Sequence, residues 1–83
     1  MILIVASTKD LASVNIAQGI IQLYEFEESS ESFHQNPVYL KMIQGREVRL
    51  VFINEEIINT QFVTDFFTPQ LLIFVSRHSS VRG

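Results

Sequence analysis

The chain has 83 residues, of which 47% are hydrophobic and 18% charged, with no cysteine and a net charge of -3. That length holds one small domain, and the lack of cysteine excludes disulfide scaffolds, cysteine-based zinc fingers and thiol nucleophiles. The acidic balance, with a pI near 5.2, lacks the basic signature of most autonomous nucleic-acid binders, so any RNA contact has to be local.

A chain this short buries only about 60–65% of the surface its unfolded form exposes, which leaves a thin stability margin unless a partner or further segment adds to the core. Its longest apolar runs, at residues 2–6 and 71–75, fall far short of the roughly 20 residues that cross a bilayer. The opening Met-Ile-Leu-Ile-Val supplies only part of a secretory signal before Lys9 and Asp10, and a cytoplasmic location without membrane partners is expected.

Residues 2–6 are an unbroken β-branched and aliphatic run, as in a strand covered on both faces of a largely parallel sheet, and a central position is expected. After residues 7–10, apolar side chains recur at Ala12, Ile16, Ala17, Ile20, Ile21 and Tyr24, while Asn15, Gln18, Gln22 and Glu25 line another side. This spacing predicts an amphipathic helix of about 15 residues, with Thr8 or Asp10 able to cap its free amides.

Residues 27–32 are polar and acidic. A short strand is expected at Ser32, Phe33 and His34, joined at Asn36-Pro37 to a second strand over 38–43. Gln44, Gly45 and Arg46 make the next turn, leading to a strand over 48–53 that Asn54, Glu55 and Glu56 end. From Asn59 or Thr60, the spacing of Phe62, Val63, Phe66 and Phe67 suits a short helix stopped by Thr68-Pro69, and 71–75 reads as another buried strand. The expected fold is α/β: one domain over residues 1–83, three-layer-like, with a mixed, mostly parallel sheet and elements in the order β-α-β-β-β-α-β.

Crossovers and hairpins each reverse the chain, so strand direction can be followed from element to element. Four segments then meet on one sheet edge: 7–10, 35–37, 54–56 and 76–80. Ligands of open α/β sheets bind outside the carboxyl ends of parallel strands, which makes this edge the expected site.

Residues 76–80 (Ser-Arg-His-Ser-Ser) put a guanidinium, an imidazole and three hydroxyls directly after an apolar run. His78 suits a general base or metal ligand, and Arg77 suits a phosphate or carboxylate; a solvated strand end is the other reading. In the first segment, Lys9 adds positive charge beside a helix amino terminus, where anions are favoured, although capping explains Ser7, Thr8 or Asp10 equally well. Asn15 opens the polar stripe near this edge, with a solvated face as its alternative. His34 has no metal-site spacing with His78, and Glu55 and Glu56 read as solvated loop. The glycines form no phosphate-binding loop, no nucleophile elbow is present, and Phe52, Phe62, Phe66, Phe67 and Phe74 are spaced as core.

Residues 7–16 (Ser-Thr-Lys-Asp-Leu-Ala-Ser-Val-Asn-Ile), 36–39 (Asn-Pro-Val-Tyr) and 76–80, taken together in this order, closely resemble the amino-terminal part of the archaeal and plant type of D-aminoacyl-tRNA deacylase. The resemblance runs through the whole chain but covers about the first third of that family's usual length. It implies a zinc-dependent hydrolase that cleaves the ester between a D-amino acid, such as D-tyrosine, and tRNA. Carried over residue by residue, it implies substrate-binding roles for Lys9, Asp10, Ser13, Asn15, Asn36 and Ser80, and catalytic roles for Arg77, His78 and Ser79. His78 would bind zinc or activate water, and Lys9 and Arg77 would hold the terminal ribose-phosphate.

The family's Ser-Arg-His block continues into segments with a further histidine and a glycine-rich stretch, so the implied partners are an aminoacyl-tRNA and a carboxyl-terminal segment of the same enzyme. Weak or absent catalysis is expected from these residues alone. The alternatives are a noncatalytic module that self-associates, for instance as a homodimer, and a small phosphate-ligand domain.

Overall fold

The structure, a computed structural model, describes residues 1–56 and 59–76. Among them lie β1 (Ile2–Ser7), α1 (Leu11–Leu23), β2 (Glu27–Phe33), β3 (Asn36–Ile43), β4 (Arg46–Ile53), α2 (Thr60–Thr64) and β5 (Leu71–Phe74). The strands form a five-stranded sheet in the order β2-β3-β4-β1-β5, so succession along the chain does not carry over to the sheet. β1 runs parallel to β4 and β5, whereas β3 is antiparallel to both β2 and β4. The expectation of a mostly parallel sheet is therefore corrected. Two-residue turns can only fold a strand back against its neighbour, and only the helical crossovers produce parallel pairs.

Side-chain alternation along β1 divides the core into two layers. Leu3 and Val5 pack with Val38, Val51, Ile53 and, from α2, Val63. On the opposite face Ile2, Ile4 and Ala6 pack with Leu50, Phe52 and, from α1, Ala17. One helix thus covers each face, giving three layers. No helix among the described residues is long and apolar enough to cross a membrane.

The first hairpin turns at His34 (φ 55°) and Gln35 (φ 65°), not at Asn36-Pro37. Positive φ at both central residues matches the twist of the flanking strands, the requirement of a type I′ turn. Asn36 and Pro37 instead open β3, where Asn36 faces Phe33 and Pro37 faces Ser32. In the alternating antiparallel ladder, the pair after the closing one exchanges no bonds, so a proline is tolerated there. β2 also begins earlier than its apolar content suggests, at Glu27. As an edge strand with only Phe33 buried, it takes its structure from backbone pairing to β3 and needs no apolar alternation. Arg49 on β4 reaches across β3 to Glu31 at 3.0 Å and bonds Glu47 at 2.8 Å, pinning β2 where its register shifts.

α1 ends in a Schellman motif. The Phe26 amide donates to the Ile21 carbonyl at 2.9 Å and the Glu25 amide to the Gln22 carbonyl at 3.3 Å, with Glu25 at φ 58°. A glycine occupies that conformation without the Cβ clash, so Glu25→Gly is expected to raise stability by about 0.5–1 kcal/mol, read as a higher urea midpoint at unchanged slope. α2 starts where Asn59 accepts the Gln61 amide at 2.8 Å, a side-chain cap.

Two expectations about apolar residues are corrected. Phe66 and Phe74 are 64% and 39% exposed, so neither is core. β5 is not a buried strand, since three of its four residues are exposed. It pairs with β1 alone; Leu72 packs on the α2-face core, while Leu71, Ile73 and Phe74 lack the covering that buries both faces of an interior parallel strand.

Candidate functional site

The carboxyl ends of β1 and β4 are stitched together by the residues that leave them. The Ser7 hydroxyl, 4% exposed, donates to the Glu55 carbonyl and accepts the Lys9 amide at 3.1 Å. The Thr8 amide donates to the Ile53 carbonyl at 2.9 Å, and its hydroxyl donates to Asn54 Oδ1 at 2.7 Å. Neither Ser7 nor Thr8 caps α1. Asp10 holds the N-cap position, yet its carboxylate takes no backbone amide; it accepts the Ser13 hydroxyl at 2.7 Å.

Asn54 then ties in the hairpin turn. Its Oδ1 accepts from Asn36 Nδ2 at 3.2 Å while its own Nδ2 donates to the His34 carbonyl at 2.9 Å. Asn36 Nδ2 also lies 3.1 Å from the His34 carbonyl and 3.4 Å from that of Phe52. These bonds satisfy the carbonyl of a turn residue held at positive φ. Sequence reasoning assigned Asn54 only the role of ending a strand. The available signal was an amide side chain directly after a buried run, at the edge where three other segments meet.

The residue before the fourth segment, Val75, joins through α1. The Ser13 hydroxyl is 2% exposed and lies 3.0 Å from the Val75 carbonyl, so Asp10 and Val75 share its one proton. Sequence positions 62 apart are thereby held together. Removing that hydroxyl in Ser13→Ala leaves both acceptors without it and is expected to cost about 1–2 kcal/mol of stability, measured by chemical denaturation.

The structure thus gathers Asp10, Ser13 and Asn36 at this edge, each with a bond that builds the edge itself. Lys9 is exposed, and its ammonium has no ion pair or hydrogen bond among the described residues. Asn15 is exposed on α1. Arg77, His78, Ser79 and Ser80 lie outside the described residues, directly after Ser76 in sequence. Among the described residues no group of three or more histidines or carboxylates could hold a metal. His34, the only described histidine, packs its ring edge-on against Phe62 at 4.6 Å, within a cluster that includes Phe33. The described residues alone therefore do not fit a zinc site.

No family model matches the chain. Curated relatives do. The D-aminoacyl-tRNA deacylase of Pyrococcus abyssi is 33% identical over 93% of this chain, and that of Picrophilus torridus is 38% identical over 100% of it. The chain is similar to one part of the archaeal D-aminoacyl-tRNA deacylases. It spans only 29% of the Pyrococcus protein and 28% of the Picrophilus one, and the deacylase of Thermococcus onnurineus, 31% identical, is matched over 30% of its length. This span is consistent with an amino-terminal portion of such a deacylase.

Proposed function

We propose that this chain is part of a hydrolase that cleaves the ester linking a D-amino acid to tRNA. What carries the reading is the similarity of the whole chain to proteins named D-aminoacyl-tRNA deacylase. The edge geometry supports it, because Ser13, in the first of the blocks that bear the resemblance, bonds both Asp10 and the carbonyl of Val75, the residue directly before the third block in sequence.

In this reading Lys9 binds the phosphate at the tRNA terminus, a role open to a cation with no partner among the described residues. Asp10, Ser13 and Asn36 hold the loops that surround the ester, and Asn15 approaches from the first turns of α1. Arg77 adds a second positive charge for the phosphate, and Ser79 and Ser80 position the acceptor end. His78 takes the proton of the attacking water, so hydroxide adds to the ester carbonyl, and the ribose hydroxyl leaves with a proton returned to it. Zinc enters this reading only at His78, since the described residues assemble no ligand set for it.

The decisive experiment uses the longer protein translated from the whole reading frame, with D-tyrosyl-tRNA and L-tyrosyl-tRNA compared side by side. Selective release of D-tyrosine is the expected result. Equal release of both enantiomers, or of neither, overturns the reading.

A further inference from the structure

The packing stops short at β5. Leu71, Leu72, Ile73 and Phe74 carry no charge and no proline, and they pair on one side only, with β1. Leu71 is 52% exposed, Ile73 41% and Phe74 39%. Register places Leu71 and Ile73 level with Ile2 and Ile4 on the α1 face and Phe74 level with Val5 on the α2 face; only Leu72, level with Leu3, packs against the core, so each face of β5 carries an exposed apolar side chain. Edge strands are ordinarily protected by charge, proline, a bulge or a covering element, and strands in parallel pairing are ordinarily buried on both faces. β2, the opposite edge, follows the first rule with Glu27, Glu28 and Glu31. β5 follows neither.

We infer that β5 is an interior strand of a wider sheet, and that its outer edge receives a strand from the polypeptide that follows these 83 residues. The length of the relatives favours this occupant. Roughly seven-tenths of each relative lies outside the span matched here, since the chain covers 28–30% of them. β5 is the last described strand, so a following segment is tethered at its carboxyl end and reaches the edge at a high effective concentration. A second copy would have to associate through a strip only four residues long, far narrower than the roughly 800 Å² per partner of a stable interface.

This inference rests on the similarity in length and sequence to the deacylases and not on their activity. Hydrogen exchange in the protein translated from the whole reading frame tests it, with β1 as the interior reference and β2 as the edge reference. The Leu71–Phe74 amides are expected to exchange with those of β1, about 100-fold or more slower than β2. Ile73→Lys, or the milder Ile73→Ser if the first does not fold, is expected to drop β5 to the rate of β2 while β3 and β4 keep theirs. Exchange of β5 at the β2 rate in the unaltered protein overturns the inference, as does a reading frame that ends at Gly83. A dimer of the 83-residue chain with β5 already protected also overturns it, by making a second copy the occupant. An inactive long protein with a protected β5 leaves this inference standing and sinks the deacylase reading.

Discussion

Phe33→Ala is expected to destabilise the domain by about 3–5 kcal/mol, enough to leave a small domain largely unfolded at room temperature. Phe33 is the one buried residue of β2, at 6% exposure, and its ring meets those of Phe66 and Phe67 edge-on at 5.2 and 5.1 Å and that of Phe62 at 6.1 Å. A five-residue helix has little stability of its own, so α2 depends on this contact to stay docked. Thermal and urea unfolding measure the loss. Phe33→Leu, which keeps most of the apolar volume, is expected to lose well under half as much. Equal losses for the two variants would show that α2 is held by something other than the aromatic cluster.

The second large effect concerns the proposed chemistry. In the longer protein, His78→Ala is expected to lower kcat/KM for D-tyrosyl-tRNA by roughly 10²–10⁴-fold, the contribution of a positioned general base. Lys9→Met, by contrast, is expected to raise KM about tenfold with little change in kcat, since a phosphate contact holds ground state and transition state equally. Single-turnover release of labelled D-tyrosine separates the two. Full activity in His78→Ala removes that residue from the chemistry.

Much of the architecture was legible because its signals are local. The period of α1, the glycine at position 45 and the start of the second helix at Asn59 or Thr60 are written in adjacent residues, and they give the elements and their directions. What escaped depends on neighbours distant in sequence. Glu27–Phe33 is a strand because β3 lies beside it, and no alternation announces that. His34 and Gln35 are not turn formers by composition, but the pairing of Phe33 with Asn36 forces them through positive φ. β5 has the composition of a buried strand and is exposed for want of anything to cover it.

The site was legible in the same uneven way. Direction-following brought residues 7–10, 35–37 and 54–56 to one edge, as the bonds of Thr8, Asn36 and Asn54 show, while four of the five residues of 76–80 lie outside the described residues. It did not show that Asp10 would take a side-chain hydroxyl in place of a backbone amide, or that Asn54 would join three segments, because both outcomes depend on distances fixed by the sheet. Arg77, His78, Ser79 and Ser80 remain positions that the resemblance names, outside the described residues.

The bond from Ser13 to Val75 also has a bearing on synthesis. Of the described strands β1 leaves the ribosome first and β5 last, yet β1 pairs with β5, and the first turn of α1 closes against the residue after β5. The intervening hairpins can form as soon as they emerge, since their contacts are close in sequence. The edge that gathers Lys9, Asp10 and Ser13 cannot. Its completion waits on β5, so a nascent chain that has not yet reached Val75 carries the sheet without β5 and the Ser13 hydroxyl without its Val75 acceptor.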